Sequence, residues 1–378
     1  MFKKLAIENF KCFDQQFSFD LKKVNLFTGY NGRGKSTAMQ VLLLLAQSLY
    51  ENKSISDLVV NGMFCQLGLF EELINTNNTA SSVKFSIDTD FDGDLNHVEL
   101  AYEEKSDRKG TLSALKLGDK DIFESSGEIG RKKVSRTSSL GPYPEKLNSI
   151  FRNFVYVSAD RLGPTPFEVK HDLSDNNPIG NNGAFRLNVL SGKDTLKKEL
   201  SDVMVRIMEG GAFSIAGEDK KDQDILKLYF ETSDQKKRVT SVNSGFGYSY
   251  ILPILIAALS MKNGCLFIEN PEAHLHPAAQ SRLIKELIAT SAKNDIQLFI
   301  ETHSEHVVNA ARLCVLDDNE VYSRFSNDDV SLYFFDKDYS INKLNMDKDA
   351  QIDQWPLGFF DQAENDTASI LKMGLFKC

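Results

Sequence analysis

The sequence predicts an α/β protein with a mixed sheet, an antiparallel β meander and a partly helical insertion. Three patterns predict this fold class. An apolar run at residues 24–27 leads through a glycine-rich loop into an apolar segment at 35–50, which is the order strand, loop, helix. Residues 82–124 alternate apolar and polar side chains, as strands do. The stretch 265–300 has the order strand, helix, strand.

The N-terminal elements follow from these patterns. The helix at 35–50 is apolar around most of its circumference, which indicates a helix buried beneath a sheet. The turn-rich stretch 90–96 divides the meander, and the apolar run at 154–157 predicts another buried strand. Residues 125–145 are rich in Ser, Gly, Lys and Arg and predict a loop.

The second half of the chain is less regular at first. An Asn- and Gly-rich portion at 176–183 precedes a helical pattern at 195–208, so we interpret residues 165–240 as an insertion or arm. Beyond residue 242 the chain returns to compact α/β character. Strands are predicted at 265–268 and 297–300, with a helix at 277–293 between them.

Charge and cysteine usage exclude several classes of protein. The formal net charge of −9 over 378 residues argues against a protein that coats nucleic acid or anionic membrane nonspecifically, although a local basic groove is compatible with it. The five cysteines show neither disulfide nor metal-site spacing. The apolar runs at 41–46 and 251–259 are too short to span a bilayer. We therefore expect a cytoplasmic protein.

Residues 29–36, Gly-Tyr-Asn-Gly-Arg-Gly-Lys-Ser, match the pattern GxxxxGK(S/T) directly between a predicted strand and a predicted helix. The glycines let backbone N–H groups wrap phosphates, the lysine supplies a cation to the β and γ oxygens, and the serine offers a hydroxyl to Mg²⁺. The sequence thus predicts a phosphate-loop NTPase with ATP and Mg²⁺ as cofactors. The predicted loop ligands are Asn31, Gly32, Arg33, Gly34, Lys35, Ser36 and Thr37.

An acidic strand end completes the predicted metal site. Apolar residues 266–268 run into Glu269, which begins the stretch Glu-Asn-Pro-Glu-Ala-His-Leu-His-Pro. Alone, a carboxylate at a strand end is usually a solvated terminus, but this longer stretch is far more specific. Glu269 and Ser36 are therefore the predicted Mg²⁺ ligands.

These segments resemble ABC-type ATPases related to SMC, RecF and the ATPase part of the OLD (overcoming lysogenization defect) proteins. Residues 269–277 resemble the acidic strand end of that family and the Leu-His-Pro that follows it. Residues 7–13 resemble its opening strand and 300–304 its switch-histidine segment, while 242–247 resemble its signature loop in a divergent Gly-x-Gly form. The segments stand in the family's order, so the resemblance implies the ABC ATPase type of fold.

The resemblance also implies roles for single residues. Ser244, Gly245 and Gly247 would open a helix whose N–H groups reach the γ-phosphate of ATP held by a second subunit. A homodimer formed on ATP binding is the consequence. His303 would contact the same phosphate from its own subunit, although a histidine taken alone is more often structural.

One position departs from the family pattern. Where ABC ATPases carry a glutamate that polarises the attacking water, this chain has Asn270, which cannot accept a proton. Glu272 is the candidate substitute, with a structural role as the alternative. If neither it nor Glu301 reaches the water, hydrolysis is slow and the protein acts as a switch. The predicted catalytic set is Glu269, Asn270, Glu272 and His303.

Two further segments, 156–164 and 354–361, resemble a narrower branch of OLD-like ATPases with a small C-terminal domain and no Toprim nuclease domain. We divide the chain into an N-terminal ATPase lobe (1–164), an insertion or arm (165–240), a C-terminal ATPase lobe (241–312) and a small C-terminal domain (313–378). Arg161 is predicted to touch nucleotide or DNA, or to form a structural ion pair. Basic clusters at 131–133 and 236–238 are either DNA contacts or solvated faces.

The resemblance implies an ATPase that acts as a switch or regulator on DNA or on a partner nuclease, in bacterial anti-phage defence. Two alternative functions compete with this one. A stand-alone OLD-like nuclease needs a DxD cluster after a hydrophobic strand, which the Asp pairs at 317–318 and 328–329 do not form. The ATPase subunit of a transporter normally carries LSGGQ and an Asp-Glu pair, and this chain has neither.

Overall fold

A computed structural model describes residues 1–124, 147, 149–173, 176–210, 212–218, 224–231, 238–317, 325–356 and 358–375. The described residues form three β-sheets and seven α-helices. The predicted loop at 125–145 lies outside them, as do the basic residues 131–133 and 236–237. None of the described helices is long and apolar enough to cross a membrane.

Seventeen strands occur in the described part of the chain. Their bounds are β1 Phe2–Glu8, β2 Phe17–Asp20, β3 Val24–Gly29, β4 Asp57–Val59, β5 Ser82–Thr89, β6 His97–Ser106, β7 Lys109–Leu117, β8 Lys120–Glu124, β9 Phe154–Val157, β10 Glu168–Val169, β11 Ala212–Ala216, β12 Ile225–Glu231, β13 Arg238–Thr240, β14 Gly264–Glu269, β15 Ile296–Glu301, β16 Val330–Phe335 and β17 Ile341–Leu344.

The described helices are α1 Lys35–Asn52, α2 Arg186–Leu190, α3 Asp194–Met208, α4 Phe246–Ser260, α5 Pro277–Asn294, α6 Glu305–Leu316 and α7 Gln362–Leu375. Helix α1 buries side chains around its whole circumference, as its apolar sequence predicts, because sheets cover it on two sides. Helices α4, α5 and α6 cover the opposite face of the central sheet.

The central six-stranded sheet has the order β17-β16-β3-β15-β14-β9, and all neighbours are parallel except β17. Its five parallel strands are largely apolar, as expected for strands covered on both faces, whereas two of the four residues of the edge strand β17 are exposed. Successive side chains alternate between two cores: Leu266 and Ile268 of β14 join the α4–α6 side, whereas Phe267 joins the α1 side. This arrangement brings the carboxyl ends of β3, β14 and β15 to one edge.

The predicted antiparallel meander is confirmed. It is a seven-stranded sheet of order β2-β1-β5-β6-β7-β4, with β8 paired to β7, and it lies over α1. The predicted mixed α/β architecture is thereby present in full. The predicted helix at 195–208 is α3, but the region around it also contains a four-stranded sheet formed by β10 to β13.

The division of the chain at residues 164, 240 and 312 stays a prediction. Strand β16 from the last segment pairs in parallel with β3 of the first over six residues, from Val330 opposite Val24 to Phe335 opposite Gly29. The segment after residue 312 therefore extends the central sheet.

Candidate functional site

The phosphate loop, residues 29–36, begins at the end of β3 and ends in the first turn of α1. Gly29, Gly32 and Gly34 all have positive φ, at 122°, 69° and 103°. Residues other than glycine rarely adopt these angles, which explains the spacing of the glycines. Gly34 is the N-cap of α1, and as a glycine it has no side chain that could accept from the first N–H groups of the helix. The first N–H groups of α1 are thus not capped by that residue.

Close packing adds a second reason for two of these glycines. A Cβ atom on Gly29 would lie 2.2 Å from the carbonyl oxygen of Phe335, and one on Gly34 would lie 2.4 Å from Sγ of Cys12. Both distances are far inside van der Waals contact. The loop is therefore shaped by its neighbours as well as by its own dihedral angles.

Lys35 is buried within the loop that precedes it. Its Nζ donates to the carbonyl oxygens of Gly29 (3.1 Å) and Tyr30 (2.7 Å). Burial lowers the pKa of Lys35, and the negative charge of Glu301 acts in the opposite direction. The cation is thus held over the loop by carbonyl oxygens, where phosphate oxygens are stronger acceptors.

The other predicted loop ligands fall into two groups. Asn31 and Gly32 are exposed at the tip, whereas Thr37 is buried beside the Cys12 thiol. Ser36 is partly buried, and its hydroxyl hydrogen-bonds the Glu301 carboxyl group. Arg33 lies with its guanidinium carbon 4.1 Å from the ring centroid of Tyr339.

Two carboxylates stand side by side at the ends of β14 and β15. Glu269 and Glu301 are register partners in the parallel pair, and Glu301 is in turn opposite Phe27 of β3. An oxygen of Glu269 accepts from the Ala159 backbone N–H at 3.1 Å. The structure thus brings the predicted acidic strand end to the same sheet edge as the phosphate loop, with β15 between β14 and β3.

Glu301 has an unusual environment for a carboxyl group. Its pKa is raised to about 7. Burial is the largest cause, and the nearby charge of Glu269 acts in the same direction, whereas the hydrogen bond from the Ser36 hydroxyl lowers the pKa. Its Oε2 is buried without a hydrogen-bond partner among the described residues. A buried acceptor of this kind fits a position where a hydrated cation binds.

Asn270 follows β14 in a left-handed conformation, with φ of 45°. Its N–H donates to the carbonyl oxygen of Glu301 at 2.8 Å. Its side-chain Oδ1 is buried and lacks a partner among the described residues. The amide is therefore held at the predicted water position with an acceptor atom to spare.

Arg161 holds the backbone at the end of β14 by hydrogen bonds. Its guanidinium donates to the carbonyl oxygens of Ser158, Glu269 and Asn270 at 2.9, 2.6 and 2.7 Å. Burial lowers the pKa of Arg161 to about 10, opposed chiefly by the charge of Glu272. These hydrogen bonds all go to backbone carbonyl groups. The contacts therefore favour a structural role for Arg161, made through the backbone rather than through the predicted ion pair.

Glu272 links the loop after β14 to the switch-histidine segment. Its Oε2 accepts from the Thr302 hydroxyl at 2.9 Å, and its Oε1 accepts from the His303 N–H at 2.8 Å. Both oxygens are therefore engaged. This geometry favours the structural alternative for Glu272, since a general base needs a free oxygen toward the water.

His303 lies beside the phosphate loop. Burial lowers its pKa, the positive charge of Lys35 lowers it further, and a hydrogen bond to the Gly29 carbonyl raises it. The lowered pKa favours the neutral imidazole. Ser304, the N-cap of α6, fixes the following helix by accepting from the His306 N–H at 3.1 Å.

The signature loop is placed at the start of α4. Gly247 is buried, and a Cβ atom there would lie 3.0 Å from the His274 carbonyl oxygen, so glycine permits the close approach of α4 to this segment. Gly245 is exposed and open: a Cβ atom there would meet only Tyr248, at 3.8 Å. The hydroxyl of Ser244 donates to the Ser241 carbonyl at 2.7 Å.

A family model described as "AAA domain, putative AbiEii toxin, Type IV TA system" matches residues 24–309. The match begins at β3 and contains the phosphate loop, Glu269 and His303. The chain belongs to this family. A second model, described as "Protein of unknown function (DUF3696)", matches residues 325–370. No match was found among curated proteins.

Solved structures of SMC heads share the fold of this AAA protein. One, an SMC head bound to the C-winged helix domain of ScpA, is similar over 92% of this chain and 98% of that chain, with a TM-score of 0.54 and 13% identity. A second structure is an SMC head with an extended coiled coil bound to the C-terminal domain of ScpA, derived from Pyrococcus furiosus. The similarity covers 91% of this chain and 96% of that chain, with a TM-score of 0.51 and 13% identity. The SMC head from Thermotoga maritima covers 92% and 99%, with a TM-score of 0.47 and 12% identity. The two structures with TM-scores above 0.5 confirm the predicted α/β P-loop fold.

The residues at this sheet edge fit a nucleotide with its metal ion. The glycines leave the loop backbone open, Lys35 offers a cation, and unpartnered acceptors remain on Asn270 and Glu301. Lys35 and the α1 N–H groups would hold phosphates, while Ser36 and Glu269 would hold Mg²⁺, which neutralises phosphate charge when bound. The described residues contain no group of three or more His, Cys, Asp or Glu side chains that could hold a metal ion.

The sequence did not predict the contacts that the end of β16 and the residues after it make with the phosphate loop. Phe335, Tyr339 and Gly358 all lie against the phosphate loop. They are more than 300 residues away in sequence and form no recognisable motif. The one available signal was the apolar run at 330–335, and such a run does not by itself identify its neighbour in the sheet.

Proposed function

We propose that the chain binds ATP with Mg²⁺, hydrolyses it slowly, and joins a second copy around the nucleotide. In this state it acts as a switch on a partner nuclease or on DNA, in anti-phage defence of the kind associated with OLD-like ATPases. The observation that carries the proposal is the meeting of the phosphate loop, Glu269 and His303 at one sheet edge.

Slow hydrolysis follows from the groups at the water position. Asn270 can orient water but cannot take its proton, and both oxygens of Glu272 are engaged by the switch segment. Glu301 is the remaining candidate; it hydrogen-bonds Ser36 and lies near Lys35, Glu269 and Glu272, so we assign it to the metal side of the site rather than to the water. A site that binds tightly and turns over slowly suits a switch.

Support for a dimer comes from the signature loop. Its exposed Gly245 caps α4 without contributing a side chain, so the helix start is open to a ligand from outside the chain. Anions bind favourably at such helix starts. The family resemblance supplies the ligand, which is the γ-phosphate held by a second copy.

Support for a protein partner comes from α7. Its described side chains are exposed, among them Ile370, Leu371 and Met373 at 69, 62 and 69%. An isolated helix of this length is only marginally stable in water, and an exposed apolar face is typical of an interaction surface. The matched family's description as a putative toxin of a toxin–antitoxin system is consistent with an effector pair in defence.

The two alternative functions find less support. Asp residues 329, 336 and 338 are used locally rather than presented for metal-dependent cleavage. Asp329 accepts hydrogen bonds from the N–H and hydroxyl of Ser326 in a capping box. In the DxD pattern that follows β16, Asp336 accepts from the Lys337 N–H, and Asp338 accepts from the N–H and hydroxyl of Ser340. A transporter role rests on motifs that this chain lacks.

The nucleotide site is tested by calorimetry on Lys35→Ala. We expect ATP affinity to fall at least about a hundredfold, since the ammonium group donates several charge-assisted hydrogen bonds worth roughly 1.5–3 kcal/mol each. Lys84→Ala, which removes a surface lysine paired with Glu8, is the matched control. A folded Lys35→Ala variant that binds ATP like the wild type would refute the assignment.

The defence role is tested by phage plating on cells that carry the gene together with its neighbouring genes. We expect the wild type to reduce plating and Lys35→Ala to restore it. Equal plating on both strains across a broad phage panel would exclude the proposed setting.

A further inference from the structure

Residues 330–356 and 358–360, here called the C-terminal segment, contact the phosphate loop. The N–H of Tyr30 donates to the carbonyl oxygen of Phe335 at 2.8 Å, which continues the pairing of β16 with β3 into the loop. Gly29 lies so close to Phe335 that no side chain fits between them. The start of the loop is thus fixed by the C-terminal segment.

A second contact involves the Tyr30 side chain. Its ring lies edge-on to Phe334, with centroids 6.0 Å apart, and Phe334 lies edge-on to the buried Phe359 at 5.1 Å. Gly358 has φ of 81°, and a Cβ atom there would lie 2.4 Å from the Tyr30 hydroxyl oxygen. The turn around residue 358 therefore closes directly on the loop.

A third contact involves the Tyr339 ring, in the turn between β16 and β17. This turn is held by hydrogen bonds from the Asp336 N–H to the Ser340 carbonyl (2.9 Å) and from the Tyr339 N–H to the Asp336 carbonyl (3.2 Å). The guanidinium of Arg33 lies over the ring at 4.1 Å, and Nε of Arg33 is buried without a partner among the described residues. The ring face is therefore the principal recorded contact of this cation.

Arg33 stands two residues before Lys35, at the point where the loop turns into α1. Holding Arg33 restricts the backbone whose N–H groups face a phosphate. A loop that is already ordered pays less conformational entropy when a ligand binds. The ring of Tyr339 is itself 56% exposed, so it anchors Arg33 without being part of the core.

We propose that Tyr339 is a positioning residue of the nucleotide site, and that its ring, through Arg33, holds the phosphate loop ready for a nucleoside triphosphate. This rests on the proposed function, because it requires a nucleotide on the loop. It assigns the C-terminal segment a role in nucleotide affinity. The contact acts before chemistry, so its loss weakens binding and leaves turnover of bound nucleotide unchanged.

The test is a titration of the full-length protein with a fluorescent ATP analogue and Mg²⁺. Tyr339→Leu is expected to raise Kd roughly three- to tenfold, the range of a partly exposed cation–π contact. Tyr339→Phe keeps the ring and is expected to bind within about twofold of the wild type. Steady-state assays should show KM for ATP rising with Kd while kcat stays constant.

The chain offers a matched control. Arg238 lies over the ring of Tyr229 at 4.8 Å in the four-stranded sheet, so Tyr229→Leu removes a similar contact away from the phosphate loop. This variant should bind like the wild type. In an Arg33→Ala background, Tyr339→Leu should have no further effect, because the two residues act through one contact. Additive losses would overturn the proposal.

Two outcomes separate this inference from the proposed function. If Lys35→Ala binds the analogue like the wild type, the nucleotide site itself is wrong. If Lys35→Ala loses binding while Tyr339→Leu retains the wild-type Kd, or binds more tightly, only the role of Tyr339 falls. Thermal melting of each variant confirms that the comparison is made on folded protein.

Discussion

Asn270 occupies a strand end with a backbone that suits its side chain. Asparagine tolerates the left-handed region better than most residues, and φ here is 45°. Its N–H donates to the carbonyl oxygen of Glu301, which fixes the backbone from which the side chain projects. The amide offers an acceptor for water but no basic group, so the first prediction concerns the rate of hydrolysis.

Replacing Asn270 by Glu should raise kcat for ATP hydrolysis roughly tenfold or more, since a positioned general base contributes about 10²–10⁴-fold when its geometry is ideal. The left-handed backbone should cost about 1 kcal/mol of stability. ATP affinity should change little, because the base acts in the transition state. Steady-state rates and calorimetry measure both effects. An unchanged or lower kcat in a folded variant would contradict the prediction.

Glu272→Gln is the companion variant, because it separates a base from a structural link. An amide keeps only one acceptor oxygen, so when it accepts from the His303 N–H its NH2 group faces Thr302, whose hydroxyl must then change from donor to acceptor. With a structural role, we expect a lower melting temperature together with a modest change in kcat. A large loss of kcat at unchanged melting temperature would instead show that Glu272 is the base.

Residues of the phosphate loop and the acidic strand end could be predicted because their chemistry imposes a local pattern. The contacts of Arg161 and Tyr339 could not. Arg161 donates to three carbonyl groups, which any sequence supplies, and Tyr339 meets Arg33 across the whole length of the chain. Interactions with backbone groups, or between segments far apart in the chain, produce no local sequence pattern from which they could be predicted.

At the scale of elements, β5 and β6 are joined by an ionic contact outside the nucleotide site. His97 lies opposite Asp88 in the strand register, with Nδ1 2.5 Å from Oδ1, and its Nε2 lies 2.8 Å from Glu99. Burial alone would lower the pKa of His97. Hydrogen bonds to Glu99 and Asp88, with their charges, raise it overall.

This pair predicts a pH dependence of stability. Because the folded pKa of His97 is above its unfolded value of about 6.5, the stabilisation is complete below that pH and is lost as pH rises through the folded pKa. Between about pH 6 and pH 9, the wild type should lose an increment of melting temperature that His97→Gln does not lose. The increment is small because the pair is partly exposed. His171→Gln, at an exposed histidine in the insertion, should behave like the wild type; if it matches His97→Gln, the contact is not the cause.

Elements with strong periodicity were predicted closely, and short ones were not. Helix α5 was predicted at 277–293 and spans Pro277–Asn294, because a proline starts it and one side is apolar throughout. The sheet of β10 to β13 was missed. Its strands include one of two residues and one of three, too short for alternation to emerge.

At the scale of the whole molecule, the proposed nucleotide site is divided between two separate parts of the chain. The phosphate loop, Glu269 and His303 meet at one edge of the central sheet, whereas Gly245 lies exposed at the start of α4. Within the same chain, the segment 242–247 contacts its own helix, the preceding residues 240 and 241, and residues 163, 208, 274 and 275. The proposed switch requires the two parts to come from different copies.

Sedimentation of the wild type with and without ATP and Mg²⁺ tests that claim most directly, alongside Gly245→Arg, Gly245→Ala and Lys35→Ala. The φ of Gly245 is −61°, so either substitution fits the backbone. We expect the wild type and Gly245→Ala to dimerise with ATP, Lys35→Ala to stay monomeric without binding, and Gly245→Arg to bind ATP as a monomer. A Gly245→Arg variant that dimerises like the wild type, or a wild type that binds ATP and stays monomeric, would contradict the account.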